Sequence, residues 1–415
     1  MTNIPKEEGL DHTISVLKEG YDFIPNRSRQ FNSNLFETSL LGERVICMTG
    51  EEAGEIFYDN NKFIRSGAAP KHAQKTLLGE KGVQSLDGEA HHHRKAMFME
   101  LMNPEHIRQL GKLIADEWER KLDGWGDGET IRLYQVAQEV LTRAAVRWAG
   151  VPLEEKDVEK RTRQLAQLFE SPASVGMKYR GAVHARKELE KWIAGLVEDV
   201  RQNKLQPPSG TALLTFSEHK DLEGKLLEPR IAAVEVLNIV RPIVAISIYI
   251  AFTGHALLQH PDERAALEGS KEEPLEHFVQ EVRRLYPFFP FNGARVKDDF
   301  EWKGMTFEKG TLVLFDFYGT SREEKNWPDP DQFRPGRFAS ASVTPFNFVP
   351  QGGGDYATGH RCAGEWATIE VMKVTLDYLA NKMAYDIPEQ DMGYSKASMP
   401  AVPESEIIME NVRRR

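Results

Sequence analysis

The chain has 415 residues, 40% of them hydrophobic, which is enough to bury a large core. Its net charge of -10 disfavours a polyanionic partner, so we expect no nucleic-acid binding. Only two cysteines occur, Cys47 and Cys362, and so low a number fits a reducing compartment. Because the first residues lack the basic and apolar blocks of a signal peptide, we expect a cytoplasmic protein.

The order of the predicted elements indicates a mainly α fold with small β-sheets. A strand-like segment at 44–48 precedes a long helical region, in which Pro104 opens one helix. In chain order we then predict helices at 107–122 and 185–200, a loop at 202–210, helices at 231–258 and 275–286, strands at 299–302 and 311–314, a Pro- and Gly-rich stretch at 327–360, and a last helix from Cys362 to about Met383. No linker or repeat divides the chain, so we expect a single domain over residues 1–415.

The most apolar segment, 231–258, is predicted to be a buried core helix. Glu235, Arg241 and Pro242 interrupt its first half. The uninterrupted apolar run at 243–252 is too short to cross a bilayer, which needs ~20 residues, so we expect no membrane span. Pro242 removes a backbone N–H and should kink the helix.

The segment 348–364 carries the richest pattern in the chain. Its glycines at 352–354 would let the backbone pass close to a flat or bulky group. Cys362 stands near the start of a helix with an apolar stripe, and a helix N-terminus favours a thiolate over a thiol. Such a thiolate can be a metal ligand or a nucleophile. Cys47, in an apolar strand-like segment, is interpreted as a buried structural cysteine.

Three motifs in order resemble the cytochrome P-450 superfamily. Glu281 and Arg284 form E-x-x-R, residues 330–338 match P-x-x-F-x-P-x-R-F, and Cys362 follows the Gly-rich loop. The resemblance implies a cytochrome P-450 fold, with haem b between the long distal helix and the Cys-bearing proximal helix. It makes Cys362 the axial thiolate of the iron, a ligand that favours O–O cleavage. It also implies that Arg337 joins the E-x-x-R pair behind the haem.

The same resemblance assigns the haem propionates to His360 on one side and to His91 and Lys95 on the other. His360 stands two positions before the cysteine, and His91 and Lys95 lie four apart on a predicted helix. The loop departs from the family because glycines at 352–354 replace the usual Phe-Gly start, which leaves its path open. The three histidines at 91–93 point apart on a helix, so we do not interpret them as a metal site.

The middle of the distal helix lacks the acid and threonine by which oxygen-activating members of the superfamily relay protons. Arg241 and Pro242 stand there instead. An unpaired buried charge is very costly, so Arg241 needs an anionic partner. From the residues alone, that partner could be an acid of a distant segment, because Glu235 lies on a different face of the helix.

The Arg-Pro pair resembles the bacterial fatty-acid peroxygenase family, and so do the segments 17–21, 148–152 and 351–354. This resemblance implies a long-chain fatty acid whose carboxylate is bound by Arg241, with hydrogen peroxide as oxidant and no obligatory redox partner. The guanidinium can hold a carboxylate bidentately, and the carboxylate would supply the acid–base function that the protein lacks. Hydroxylation is expected at the α or β carbon, because only carbons near the carboxylate are within reach.

Gln84 and Leu78 bear on the product. Alkene-forming relatives have a histidine at the position of Gln84 and an aromatic residue at that of Leu78, and an amide cannot donate a proton as an imidazolium can. We therefore predict hydroxy acids, with oxidative decarboxylation to terminal alkenes as the alternative. Phe288, Phe289 and Phe291 are candidates to line an apolar channel for the fatty-acid tail, or are plain core aromatics.

Two further functions are possible from the sequence. One is a monooxygenase fed by a redox partner, which the missing acid and threonine disfavour. The other is a non-catalytic haem sensor, which is disfavoured because the sequence contains nothing that resembles an output domain.

Overall fold

The computed structural model describes residues 4–126, 128–270 and 272–415. Its helices are α1 (Thr13–Glu19), α2 (Phe23–Phe31), α3 (Glu51–Phe57), α4 (Lys71–Ala73), α5 (Gly88–Leu101), α6 (Pro104–Gly124), α7 (Leu133–Trp148), α8 (Val158–Glu170), α9 (Gly176–Arg201), α10 (Ala212–Glu218), α11 (Pro229–Ala245), α12 (Ser247–Gln259), α13 (Pro261–Ala265), α14 (Glu272–Leu285), α15 (Phe317–Thr320) and α16 (Glu365–Asp377). π-Helical turns at Gln74–Leu78 and Tyr378–Lys382 follow α4 and α16. Its strands are β1 (Leu35–Leu40), β2 (Glu43–Met48), β3 (Phe63–Ile64), β4 (Ile131–Arg132), β5 (Phe291–Val296), β6 (Phe300–Trp302), β7 (Met305–Phe307), β8 (Leu312–Asp316), β9 (Met383–Asp386) and β10 (Ile408–Arg414).

The predicted class, mainly α with small β-sheets, is confirmed. The largest sheet has the order β1-β2-β8-β5-β3, and smaller ones pair β4-β10-β9 and β6-β7. The predicted strand at 44–48 lies in β2, and the one at 311–314 lies in β8. Between them Cys47 pairs with Leu314 in parallel register. Cys47 is fully buried and burial raises its pKa, so it is an inert core residue as predicted.

The long apolar stretch is helical from Pro229 to Gln259, which confirms the predicted core helix. One turn residue, Ile246, separates α11 from α12, four residues after Pro242. Proline lacks the N–H that would bond the carbonyl of Asn238, so a helical hydrogen bond is missing in the turn before Pro242. The stretch is long and apolar enough to span a membrane, but 89% of its most apolar window is buried inside the protein, as expected for a core helix.

The last helix begins later than predicted. α16 starts at Glu365 with Gly364 as its N-cap, so Cys362 lies in the loop before the helix. The backbone N–H of Cys362 donates to the carbonyl of Gln351 at 3.2 Å, which ties the cysteine to the start of the Gly-rich loop. The helical end agrees with the prediction, because the π-helical turn continues α16 to Lys382.

The E-x-x-R pair is the buried centre of a wider network. Both oxygens of Glu281 accept from Arg284, at 2.7 and 2.9 Å. One of them also accepts from the backbone N–H of Arg334 at 2.8 Å and from Nε of Arg337 at 3.1 Å. Arg337 therefore joins the pair, as the resemblance implies. Arg284 also donates to the carbonyl of Pro330, which ties α14 to the segment that leads to the cysteine loop.

Replacing Glu281 by alanine should leave Arg284 as an uncompensated buried cation. Loss of one partner of a buried pair costs about 3–5 kcal/mol, so we expect the free energy of unfolding to fall by that amount. Denaturant unfolding of Glu281→Ala measures it. The control is Glu273→Ala, on the exposed side of the same helix, which should change stability by less than ~0.5 kcal/mol. Equal effects of the two substitutions would contradict the assignment of Glu281 as the centre of the network.

Candidate active site

The cysteine loop is held by glycines packed against Tyr58. Gly354 has a φ of +79°, and a Cβ there would lie 2.9 Å from the Cβ of Tyr58. A Cβ on Gly353 would collide with the carbonyl of Pro345. The glycines thus allow close approach, as predicted, but the bulky group they approach is the Tyr58 side chain. The side-chain nitrogen of Gln351 lies 3.9 Å from the sulfur of Cys362.

The protonation of Cys362 differs from the sequence expectation. Burial raises the pKa of the Cys362 thiol, and Glu365 raises it further. The N–H of Gly364 and the charges of Lys95 and Arg283 lower the pKa, but not enough to reverse the effect of burial. Gly364, the N-cap of α16, is the part of the helix N-terminus that acts on the sulfur. A metal ion deprotonates a coordinating thiol outright, so the buried sulfur still suits a metal.

The residues assigned to the propionates do meet. The rings of His91 and His360 stack with centroids 3.9 Å apart. Lys95 donates to the carbonyls of Gly359 and Arg361, the latter at 2.8 Å. Burial lowers the pKa of His91 to about 4, and the nearby Lys95 adds to that shift. Burial also lowers the pKa of Lys95 to about 8, although Cys362 and Asp355 act in the opposite direction. Burial, then Arg65, His91 and Lys95, holds the pKa of His360 far below its usual value.

Arg65 belongs to the same cluster, and the sequence analysis missed it. Its guanidinium lies 4.3 Å from the ring centroid of Phe57 and 5.4 Å from that of Tyr58, and its Nε has no hydrogen-bond partner among the described residues. Burial lowers its pKa to about 10. The one sequence signal was a charged residue directly after the apolar pair of β3. No motif connects it with His360, far along the chain.

These side chains fit a haem. Arg65 and Lys95 are the cations of this buried cluster, and the lowered pKa values of His91 and His360 leave both rings as neutral hydrogen-bonding groups. The nearby acid, Asp87, already accepts the backbone N–H of Arg65 at 2.7 Å and that of Ser66 at 2.9 Å. A buried, under-compensated basic cluster favours an anionic ligand.

Arg241 has no acidic partner among the described residues, so the alternative of an ion pair with a distant segment is wrong there. It is 8% exposed and its Nε is without a hydrogen-bond partner in the described chain. Burial and then the nearby Arg186 lower its pKa to about 9. Glu235 instead pairs with Arg94 at 2.9 Å. Pro242, the next residue, is inside α11.

Gln84 and Leu78 lie near the helix that carries Arg241. The side-chain oxygen of Gln84 accepts from Asn238 of α11 at 3.2 Å. Asn238 and Arg241 are three residues apart, on one face of that helix. Leu78 ends the π-helical turn and packs, half-buried, against the helical core. A Cβ on the next residue, Gly79, would lie 2.6 Å from a methyl group of Val234, so this segment follows α11 closely.

The three phenylalanines after α14 have different surroundings. Phe288 stacks on Tyr249 of α12, with ring centroids 4.2 Å apart. Phe289 is 39% exposed. Phe291 opens β5 and packs against the apolar cluster of Phe23, Ile24, Phe36, Val45, Cys47 and Leu314. Of the three, Phe288 packs directly against the long apolar helix, at α12. The channel for the fatty-acid tail stays a prediction.

Comparison with known proteins agrees with this architecture. The profile of the family Cytochrome P450 matches residues 273–388. The structure of cytochrome P450EX alpha (CYP152N1) with myristic acid has a TM-score of 0.97 and 50% identity, covering 100% of both chains. Cytochrome P450SP alpha (CYP152B1), in a complex with (R)-ibuprophen, has a TM-score of 0.95 and 44% identity, covering 98% of this chain and 99% of that one. A variant of cytochrome P450 OleT with arachidonic acid has a TM-score of 0.95 and 34% identity, covering 100% of this chain and 99% of that one.

Plant enzymes are more distant relatives. Taxane 13-alpha-hydroxylase of Taxus cuspidata is 25% identical over 373 residues, which cover 80% of this chain and 75% of that protein. The chain therefore belongs to the cytochrome P450 family, a family of haem-thiolate oxidoreductases. Within that family it is similar to the CYP152 enzymes, at 34–50% identity over nearly the whole length.

Replacing Cys362 by alanine should abolish the thiolate-type absorption of the reduced carbon monoxide complex, because no sulfur then reaches the iron. Absorption spectroscopy of the purified protein measures this. Cys47→Ala, at the other cysteine, should keep the spectrum. If Cys362→Ala retains the thiolate-type band, another residue is the ligand.

Proposed function

We propose that residues 1–415 form one catalytic domain that hydroxylates long-chain fatty acids at the α or β carbon with hydrogen peroxide. The observation that carries the proposal is the buried guanidinium of Arg241, which has no acidic partner in the described chain. A cation in this position needs an anion, and a substrate carboxylate provides one. The fatty acids named with the structures of P450EX alpha and OleT support this class of ligand.

Arg241 both binds and orients the substrate in this proposal. Its planar guanidinium can form two parallel hydrogen bonds to a carboxylate, which fixes the acid end of the molecule and excludes water from it. A substrate held by its carboxylate offers its α and β carbons to the reacting centre, and more distant carbons lie further away. Leu78 and Phe288, half-buried beside the distal helices, are the proposed apolar contacts of the chain. Phe289 and Phe291 are proposed to extend this surface.

The haem, bound through Cys362 and held at its propionates by Arg65, His91, Lys95 and His360, would supply the oxygen-transfer chemistry. The distal helix has no acid–threonine pair for proton relay, and Pro242 occupies part of that position. The bound carboxylate, kept beside Arg241, therefore accepts and returns the proton at its own oxygens. Hydrogen peroxide is dioxygen that has already been reduced by two electrons. This arrangement therefore suits peroxide as the oxidant and requires no redox partner to deliver those electrons.

Oxidative decarboxylation to an alkene is the second candidate, since OleT is among the similar structures. Gln84 favours hydroxylation, because a carboxamide near the substrate acid does not titrate. A monooxygenase that depends on a redox partner would need the proton relay that the distal helix lacks. A haem sensor would not need an uncompensated arginine on that helix.

The purified protein should convert a long-chain fatty acid with hydrogen peroxide and no reductase, and Arg241→Ala should lose this activity. Removing one partner of a desolvated pair costs about 3–5 kcal/mol, roughly 10²–10⁴ in an equilibrium constant. Mass spectrometry of the products measures turnover. Haem absorption of the variant should be unchanged, because Arg241 is not proposed to contact the porphyrin.

The control for this experiment is Arg201→Ala. Among the described residues, Arg201 at the end of α9 donates to the backbone carbonyls of Ser217 and Leu227 and to no acid, so its loss should leave turnover intact. Acetate added with a non-acidic substrate should restore chemistry in the wild type but not in Arg241→Ala. Turnover with a ferredoxin and reductase in the presence of catalase, and none with peroxide, would disprove the proposal.

Replacing Gln84 by histidine should raise the fraction of terminal alkene, because an imidazolium can donate a proton near the substrate acid. Gas chromatography of products over a pH series from about 5 to 8 measures the fraction, which should rise toward low pH as the imidazole protonates. Gln84→Asn, which keeps an amide, is the control. A constant alkene fraction in the histidine variant would mean that this position does not set the product.

A further inference from the structure

A chain of polar side chains connects Gln84 with the middle of α5. The side-chain nitrogen of Asn238 donates to the oxygen of Gln84 at 3.2 Å and to an oxygen of Glu235 at 3.0 Å. The other oxygen of Glu235 accepts from Arg94, on α5, at 2.9 Å. All four side chains are polar or charged, and the proposed reaction uses only Gln84 among them.

Glu235 is surrounded by donors. Its side chain is fully buried, and its two oxygens accept from Arg94 at 2.9 Å and from Asn238 at 3.0 Å. Burial raises the pKa of Glu235, while the bonds from Asn238 and Arg94 lower it. Arg94 is a permanent cation with no acceptor atom, so its pair with Glu235 favours the carboxylate form, in which both oxygens are acceptors.

This acceptor fixes which way the two carboxamides turn. Facing Glu235, Asn238 must present its NH2 group, and both hydrogens of that group are then used, one by Glu235 and one by Gln84. Gln84 must in turn present its oxygen to Asn238. Its own NH2 group therefore points away from Asn238. The oxygen of Asn238 is left without a partner among the described residues.

We propose that Glu235 is a positioning residue that sets the orientation of the Asn238 and Gln84 carboxamides, so that Gln84 offers N–H donors to the substrate acid. The consequence for the substrate rests on the proposed function. Asn238 lies on the same face of α11 as Arg241, so a carboxylate on that guanidinium lies near the amide pair. Donors suit a carboxylate, whereas the oxygen of Gln84 would repel it. Glu235 thus influences the site through two neutral side chains without contacting the substrate.

The test variant is Glu235→Gln, which keeps the shape but gives the residue a donor. Its oxygen can remain on Arg94, and its NH2 group then faces Asn238. Asn238 must turn its oxygen toward that group, and Gln84 must turn its NH2 toward Asn238. The substrate then meets the oxygen of Gln84. We expect the dissociation constant of myristate from the haem-loaded protein to rise by about tenfold, the loss of one hydrogen bond to a charged group.

The matched control repeats the substitution in the Gln84→Ala background. Without the Gln84 amide, Glu235→Gln should leave myristate affinity unchanged, because there is no amide left to turn. Calorimetric titration with myristate gives the affinities. An equal loss in both backgrounds would overturn the proposal and make Glu235 a structural ion-pair member only. Should Glu235→Gln fail to fold, Asn238→Leu replaces it, since Leu cuts the link to Gln84 while leaving the pair with Arg94 intact.

Failure of the proposed function is distinguishable from failure of this inference. If the wild type binds no fatty acid, the proposed function is wrong. The connection between Glu235 and Gln84 through Asn238 can then still be tested by the free energy of unfolding of the haem-loaded protein. Glu235→Gln and Gln84→Ala should then be non-additive, since the two side chains share Asn238. Additive effects on unfolding would overturn the orientation mechanism whatever the substrate is.

Discussion

The structure depends on buried positive charge that the protein itself leaves unbalanced. Three other buried arginines have acidic partners: Arg186 pairs with Glu190, Arg283 with Glu365 and Arg284 with Glu281, each at 2.7 Å. Arg241 has none in the described chain. A buried cation without an anion is unfavourable, so this site favours the binding of an anionic ligand. The cations Arg65 and Lys95 near His360 likewise favour an anionic ligand.

In the proposed function, a ligand supplies the missing anion at Arg241 and at the cluster near His360. Ligand binding is therefore coupled to the stability of the fold. Carboxylates of a haem and of a fatty acid would neutralise charges that lower the stability of the unliganded chain, so each ligand should stabilise the fold as well as serve the reaction. The paired arginines have a structural role instead. Arg283 and Arg284 connect α14 with α16 and with the segment before the cysteine loop, and a pair that is already satisfied does not compete for a substrate acid.

The sequence predicts those parts of the site that lie within one short segment, and it does not predict contacts between distant segments. Cys362, the E-x-x-R pair and Arg241 lie in local sequence patterns. The Arg-Pro pair is recognisable in the sequence because it interrupts a long apolar segment. Arg65 carries no pattern, because its role arises only when β3 is brought beside His360. The amide chain through Asn238 has the same origin, since Gln84 and Glu235 are far apart in sequence. The break at Ile246 and the start of α16 at Glu365 are boundaries set by hydrogen bonds, which periodicity alone does not locate.

The replacement of an acid by an arginine on the distal helix changes what selects the substrate. An acid in the protein serves any molecule that fits the cavity, whereas an arginine leaves the acid–base function to whatever anion it binds. A molecule without a carboxylate then lacks both its anchor and a necessary reactant, so binding and reaction select the same chemical group. Polar contacts near that anion gain importance for the same reason. The orientation of the Gln84 amide decides whether the surroundings of Arg241 attract the carboxylate or repel it. The acceptor proposed to fix this orientation, Glu235, does not itself contact the substrate.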